Sequence, residues 1–338
     1  MAGLNRRWTV VSHPVGMPAP SDFSFDAMPI PKLGRDEVLL KLLYISIDPG
    51  QRVYISELVG PDAIGAPVKA WAVGRVVESS SPRFAVGSYA RDNLGEAGVQ
   101  EYSVIGAKDL VPVDPDPSLT AHLGLLGMPG LTAYFGMIDI AGVAPGETVV
   151  VSGASGAVGS IAGQIARIKG CRAVGITRGP EKARYLVDEL GFDDAIDLLE
   201  CGLAAGLAEK CPEGVDVYFD NVAGPMLDDM LGHMKRGGRI AFCGAVSQYN
   251  DNAPPPGITN YFQILMRELR WQGFYVGSHA GQFAAAVDQM REWVAAGRLV
   301  QREEVTVGIE RFPQTFLDVF NDRLRGKMIL QVSPGEVR

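Results

Sequence analysis

The chain has 338 residues, 47% of them hydrophobic, enough to bury a large core and to form two domains. A formal net charge of −8 argues against a general nucleic-acid binder. Four cysteines (Cys171, Cys201, Cys211, Cys243) without paired spacing, and four scattered histidines, fit a reduced, cytoplasmic chain without structural zinc.

The start has basic residues but no apolar signal core. Residues up to about 95 read as β structure with frequent turns, with strands over 38–43 and 72–78 and a turn at Asp48-Pro49-Gly50. The proline-punctuated loop 114–118 suits the end of a domain. The uncharged run 123–138 falls short of a membrane span and reads as a buried helix, with Pro129 in its first turn.

The stretch 147–170 is the one around which the rest of the chain is organised. A β-branched run over 148–151 predicts a buried strand. A small-residue turn leads into apolar residues at helical spacing, Val158, Ile161, Ile165 and Ile168. Gly170 stands where a helix C-terminal glycine is expected. Gly156 and Gly159 match the second and third glycines of G-x-G-x-x-G, with Ala154 in place of the first. Such a turn lets a pyrophosphate approach the backbone at a helix N-terminus. An ordinary tight strand-to-helix turn would carry similar glycines, but the next strand, 172–177, decides against it. NAD sites hold the ribose 2′-hydroxyl with an acid about 20 residues past the glycines. Here that strand ends in Thr177 and Arg178, and Lys182 follows one turn into the next helix. Two cations would attract a 2′-phosphate, so the expected cofactor is NADP(H).

Further strands are predicted over 194–197, 216–219, 239–242 and 271–276, with helices between them. The alternation implies an α/β chain with a doubly wound, parallel dinucleotide-binding domain. A rigid proline-rich loop is expected at 253–257 and a last amphipathic helix at 282–296. Strands at 303–307 and 328–332 then return to the first domain. The expected domains are 1–125, 126–298 and the return 299–338.

Several stretches together resemble a known family along nearly the whole chain. They are 74–79 (GRVVES), 126–135 (LGMPGLTAYF), 146–160, 181–190, Asp220-Asn221-Val222, 243–250 (CGAVSQYN) and Gln272-Gly273-Phe274. The resemblance is to the zinc-independent medium-chain dehydrogenase/reductases, in the branch of the prostaglandin reductases, plant double-bond reductases and bacterial curcumin reductase. It implies NADPH-dependent reduction of the C=C bond of α,β-unsaturated ketones or aldehydes. It also implies a Rossmann domain plus a GroES-like, partly open β-barrel catalytic domain, a site in the cleft between them, and homodimers joined through the cofactor domains. Asn221 matches a residue on the nicotinamide side, and Tyr249 a tyrosine implicated in substrate polarisation. Lys182 matches a lysine bound to the 2′-phosphate, and Phe274 and Val276 match backbone contacts to the nicotinamide end. The candidate cofactor set is therefore Ala154, Gly156, Val158, Gly159, Thr177, Arg178, Lys182, Asn221, Cys243, Gly244, Ala245, Phe274 and Val276. Tyr249 is the candidate catalytic residue, and Tyr54 with Tyr249 the candidate substrate contacts. No metal and no membrane contact are expected.

The chain also departs from the family pattern. Gly50-Gln51-Arg52 stands for a usual Y-M-R, removing an aromatic wall that Tyr54 could partly replace. Leu198 stands for a tyrosine and Leu324 for an asparagine. Alternatives remain: Asn221 could cap the helix beginning near Gly224, Tyr54 could serve packing, and Tyr249 could be surface. At the level of function the alternatives are a quinone reductase on the same fold and an inactive NADPH-binding relative.

Overall fold

The computed structural model describes residues 3–251, 257–321 and 324–335. Most of the proline-rich stretch, 253–256, lies outside them. The described residues form two compact units. One comprises those of Met1–Leu123, Glu303–Arg323 and Met328–Arg338, and the other Gly124–Arg302 and Leu324–Lys327.

Strands of the first unit are β1 (Leu4–Val10), β2 (Phe23–Pro29), β3 (Glu37–Ile47), β4 (Ala72–Ser79), β5 (Tyr89–Asp92), β6 (Tyr102–Gly106) and β7 (Leu110–Val113). The second unit follows with β8 (Thr148–Val151), β9 (Arg172–Thr177), β10 (Asp194–Asp197), β11 (Val215–Asp220), β12 (Met234–Phe242) and β13 (Arg270–Gly273). The chain closes with β14 (Glu303–Val307) and β15 (Lys327–Gln331).

In the first unit β1 and β2 form a hairpin, and the main sheet runs β14-β15-β3-β4-β5-β7. The long β3 is apolar along both faces and carries two bulges against β4. One edge of it pairs with β6 over Glu37–Lys41 and with β15 over Tyr44–Ile47. Bulges and a change of partner along one strand make a sheet curl, as a partly open barrel requires. Leu43, Tyr44, Val73, Leu119, Leu123 and Ile329 form a core on this sheet.

The second unit holds a six-stranded sheet in the order β10-β9-β8-β11-β12-β13, parallel throughout. Counted from β8 this is 3-2-1-4-5-6, the doubly wound dinucleotide-binding order. Its strands alternate between two buried faces. Val150, Val174, Ile176, Ile196, Tyr218 and Ile240 pack with Leu207, Leu227 and Met230 from the helices Gly202–Lys210 and Gly224–Met230. Phe219 points to the other face, where a Cβ on Gly136 would run into its ring. Within the run 123–138, expected to be a buried helix, the structure has an α-helix, Met128–Phe135, continued by a π-helical segment to Ala141.

One strand is shorter than expected. The reading 271–276 fails after Gly273, where β13 ends. β13 is an edge strand with only β12 as neighbour among the described residues, and its four residues are exposed. The chain leaves it at Phe274, whose ring packs on Phe219 with centroids 6.4 Å apart. No helix of the described residues is long and apolar enough to cross a membrane.

Candidate active site

The turn after β8 is built on close backbone contacts. Gly153 holds φ at +57°, and Gly156 donates its N–H to the Gly153 carbonyl at 3.0 Å. A Cβ on Gly159 would strike that carbonyl and lie 2.8 Å from the Cα of Ala154. Only glycine lets the helix Gly159–Ile168 start so near the strand. At Gly156 a Cβ would meet only the Gly153 oxygen, at 3.3 Å, so packing alone does not demand glycine there. Ala154 is 0% exposed and its N–H donates to Ile176 at 3.1 Å, so it shapes the turn from within. The helix has Val158 at its N-cap and no side-chain cap; in its first turn Ser160 and Ile161 donate their N–H groups to the carbonyls of Gly156 (3.0 Å) and Val158 (3.2 Å), and the positive end of the helix faces the turn.

Asp220 ends β11, the strand beside β8, and organises the next segment. It is fully buried. Its Oδ1 accepts from Ser152 Oγ (3.0 Å), Tyr218 OH (3.0 Å), and the N–H groups of Val222 (3.0 Å) and Ala223 (2.9 Å). Burial raises its carboxyl above the ordinary carboxylate range, against those hydrogen bonds. Asn221 donates its side-chain amide to the Ser152 carbonyl at 2.7 Å and its backbone N–H to Ser152 Oγ at 2.9 Å. It is not a helix cap: Ala223 is the N-cap of Gly224–Met230, without a side-chain cap bond.

The loop after β12 is sewn to the same segment. Cys243 and Gly244 donate their N–H groups to the Asp220 carbonyl at 2.8 and 3.1 Å, and Val246 to that of Asn221 at 3.1 Å. Ser247 Oγ donates to Val222 at 2.6 Å. Tyr249 is half-buried and folds back over Gly244, its hydroxyl oxygen accepting from Ala245 N–H at 3.3 Å. Burial, then Asp220, pushes the thiol of the partly buried Cys243 up to about 12, which disfavours its thiolate. The turn after β8, Asp220–Val222 and Cys243–Tyr249 thus form one cluster at the carboxyl ends of three adjacent strands.

Thr177 ends β9, buried, and donates to Ser155 Oγ at 3.2 Å. Arg178 is exposed, and Lys182 is half-buried on the short helix Pro180–Arg184. Sequence reading missed an acid here. Asp197, buried at the end of β10, accepts from the N–H groups of Gly179 (2.7 Å) and Leu199 (3.0 Å). It fixes the turn that carries Arg178; its place at the end of the third strand, rather than the second, was the available signal. Val276 is buried and begins a 3-10 segment after Phe274.

In the first unit, Tyr54 ends the short helix Gln51–Tyr54. Its ring meets Trp71 edge-on at 6.1 Å and lies 5.2 Å from Lys69 Nζ. It lines a cavity of ≈ 550 Å³ with Val59, Pro61, Lys69 and Glu96.

Residues 6–113 match a family profile described as the N-terminal domain of oxidoreductase, and residues 157–292 one described as zinc-binding dehydrogenase. The chain is 37% identical over 338 residues to the NADPH-dependent curcumin reductase of Escherichia coli (strain K12), covering 97% of each. It is 40% identical over 333 residues to prostaglandin reductase 1 of Bos taurus, covering 96% of this chain and 98% of that one. The chain belongs to the zinc-independent medium-chain dehydrogenase/reductases. Among solved structures, CurA from Vibrio vulnificus in complex with NADPH superposes with a TM-score of 0.90 at 33% identity. The match covers 98% of this chain and 100% of that one.

In this medium-chain reductase no group of three or more His, Cys, Asp or Glu among the described residues could hold a metal ion. Its departures from the family pattern take definite places. A Cβ on Gly50 would have nothing within 4 Å, so the missing aromatic leaves open space. Leu198 packs against the core of the second unit. Leu324 opens a four-residue segment that belongs with that unit.

Proposed function

We propose that this medium-chain reductase uses NADPH to reduce the C=C bond of α,β-unsaturated ketones or aldehydes. The observation that carries this reading is the cluster of the glycine turn, Asn221 and the Tyr249 loop at the carboxyl ends of β8, β11 and β12. Ligands of doubly wound sheets bind there, at the point where strand order reverses. Relatives named for NADPH-dependent curcumin reduction and prostaglandin reduction support it.

The residues present fit NADPH. The uncapped helix N-terminus and Gly156 accept a pyrophosphate. Arg178 and Lys182 take the 2′-phosphate, and Asn221, Cys243, Gly244, Ala245, Phe274 and Val276 face the nicotinamide end. The turn residues Ala154, Val158, Gly159 and Thr177 hold these groups in place. When bound, NADPH supplies a hydride to the substrate's β-carbon, and a proton from solvent or through Tyr249 completes the reduction at the α-carbon. As charge builds on the carbonyl oxygen, the Tyr249 hydroxyl donates to it. The bond from Ala245 N–H engages the phenol oxygen as an acceptor and so favours its donation. Within the first unit, Tyr54 is the candidate substrate contact. In this reading 1–125 with 299–338 form the catalytic domain and 126–298 the cofactor domain, except that Leu324–Lys327 belongs with the cofactor unit.

A second copy pairs with the cofactor unit. β13 is exposed along its length, and Phe262 (58%), Leu265 (70%), Met266 (59%) and Tyr275 (65%) are exposed in the flanking segments. An open sheet edge flanked by exposed apolar residues is a pairing surface. Four free cysteines fit a cytoplasmic setting, and light scattering of the purified protein tests the dimer.

The activity is tested by following NADPH oxidation over a panel of enones, alkenals and quinones, with product analysis. Saturated ketones or aldehydes as products support the reading. Turnover of quinones alone, or no oxidation with any electrophile, overturns it.

A further inference from the structure

Leu324–Lys327 lies on the glycine turn. Gly326 donates its N–H to the Ser155 carbonyl at 2.7 Å, and Gly156 and Gly326 are β-bridge partners. Gly326 holds φ at +83°, and a Cβ there would run into the carbonyl of Arg302. The segment is therefore pressed onto that backbone. Lys327, fully buried, donates its N–H to the same carbonyl at 2.8 Å.

Arg325 stands one residue before this clamp. Its side chain, 27% exposed, reaches away from the turn to the helix Pro180–Arg184, where Nη1 is 3.8 Å from Glu181 Oε2. That separation exceeds a hydrogen bond and is a contact of charge. Glu181 immediately precedes Lys182. Arg325 thus joins two places by its own geometry. Its backbone sits at the turn assigned to the pyrophosphate, and its guanidinium sits beside the helix that carries Lys182.

We propose that Arg325 is a further ligand of the cofactor's 2′-phosphate, and so a specificity residue for NADPH over NADH. The proposal rests on the NADPH reading above. A guanidinium is planar and matches a phosphate with two parallel N–H bonds, which the lysine ammonium cannot do. The clamp at Gly326 and Lys327 fixes its backbone, so less freedom is lost on binding. Glu181, whose side chain is 72% exposed, is a weak, solvated competitor that keeps the guanidinium near the helix. A phosphate carrying up to two charges outcompetes it. NADH has no such group and leaves Arg325 with Glu181.

The alternative is that Arg325 only pins the segment to the helix. Calorimetric titration of the full-length protein with 2′,5′-ADP and with 5′-ADP separates the two. Wild type should prefer 2′,5′-ADP. Arg325→Ala should weaken 2′,5′-ADP by roughly ten- to a hundredfold and leave 5′-ADP nearly unchanged. Arg325→Lys should recover part of the loss, and Glu181→Gln should tighten 2′,5′-ADP. If Arg325→Ala does not fold, Arg325→Gln, which keeps the stem, carries the same expectation. Equal loss of both nucleotides, or 2′,5′-ADP binding at the wild-type level, would overturn the proposal while the wild-type preference left NADPH standing. A wild-type protein indifferent between the two nucleotides would overturn the NADPH reading as well.

Discussion

The side-chain amide of Asn221 donates to the carbonyl of Ser152 at 2.7 Å, joining the end of β11 to the turn that follows β8. The two strands are parallel neighbours, so their carboxyl ends open to the same side. The amide shares this task with the bonds of Ser152 Oγ to Asp220 and to the Asn221 N–H. Replacing Asn221 by Ala leaves the Ser152 carbonyl without this donor in a buried setting. A loss of about 1–3 kcal/mol in stability is expected, together with weaker cofactor binding. Denaturant unfolding and cofactor titration measure the two effects. Wild-type values in both would mean the tie is idle.

Cofactor choice should follow Arg178 and Lys182. The Arg178→Ala/Lys182→Ala double variant should lose NADPH affinity, by about 1.5–3 kcal/mol per well-made contact, with little change for NADH. Equal losses for both cofactors would refute the assignment.

Tyr249→Phe keeps the ring that folds over Gly244 and removes only the hydroxyl. A preorganised donor to a developing oxyanion is worth about 10²–10³ in rate. Water can partly substitute in an open pocket, so a fall in kcat at or below the low end of that range is expected, with NADPH binding nearly intact. Wild-type kcat on a good enone would show that the donor lies elsewhere.

Asp92 gives a pH signature away from the site. Burial pushes its carboxyl up to about 6, partly offset by hydrogen bonds from the N–H groups of Ala97 and Leu94. In the unfolded chain an aspartate titrates near its ordinary value of about 3.9. Between the two values the folded state binds more protons, so the stability Asp92 contributes is complete at low pH and lost as pH rises through about 6. Asp92→Asn should therefore flatten the fall in Tm between about pH 4 and about pH 6.5. The variant keeps one acceptor of two, which shifts its absolute Tm but not this slope. Parallel Tm curves would show that Asp92 does not titrate in that range.

The sheet was legible because its central strands carry β-branched, apolar runs bounded by turn residues and alternate with helical stretches. Its six members all form, though β13 stops at Gly273 because an edge strand has one partner to hold it. Gly159 was legible because a helix entering this close to a strand permits nothing larger. The features that stayed hidden depend on contacts between residues far apart in the chain. No local pattern sends the Asn221 amide to Ser152 rather than to a helix cap, or lays Gly326 against Ser155. Asp197 carried a local signal, an acid at a strand end. Its role appeared only when β10 was placed beside β9, with Gly179 in reach.

The bond from Gly326 to Ser155 also sets an order of events. Synthesis proceeds from the amino end, so the residues of the turn at 152–159 are among the earliest of the second unit to leave the ribosome. The segment that lies on them is made only after all the strands and helices between them. A nascent chain can therefore assemble the parallel sheet and still lack part of the surround of its own turn. During biogenesis the turn is begun early and finished late, and a chaperone or protease meeting the protein in that interval would find it incomplete.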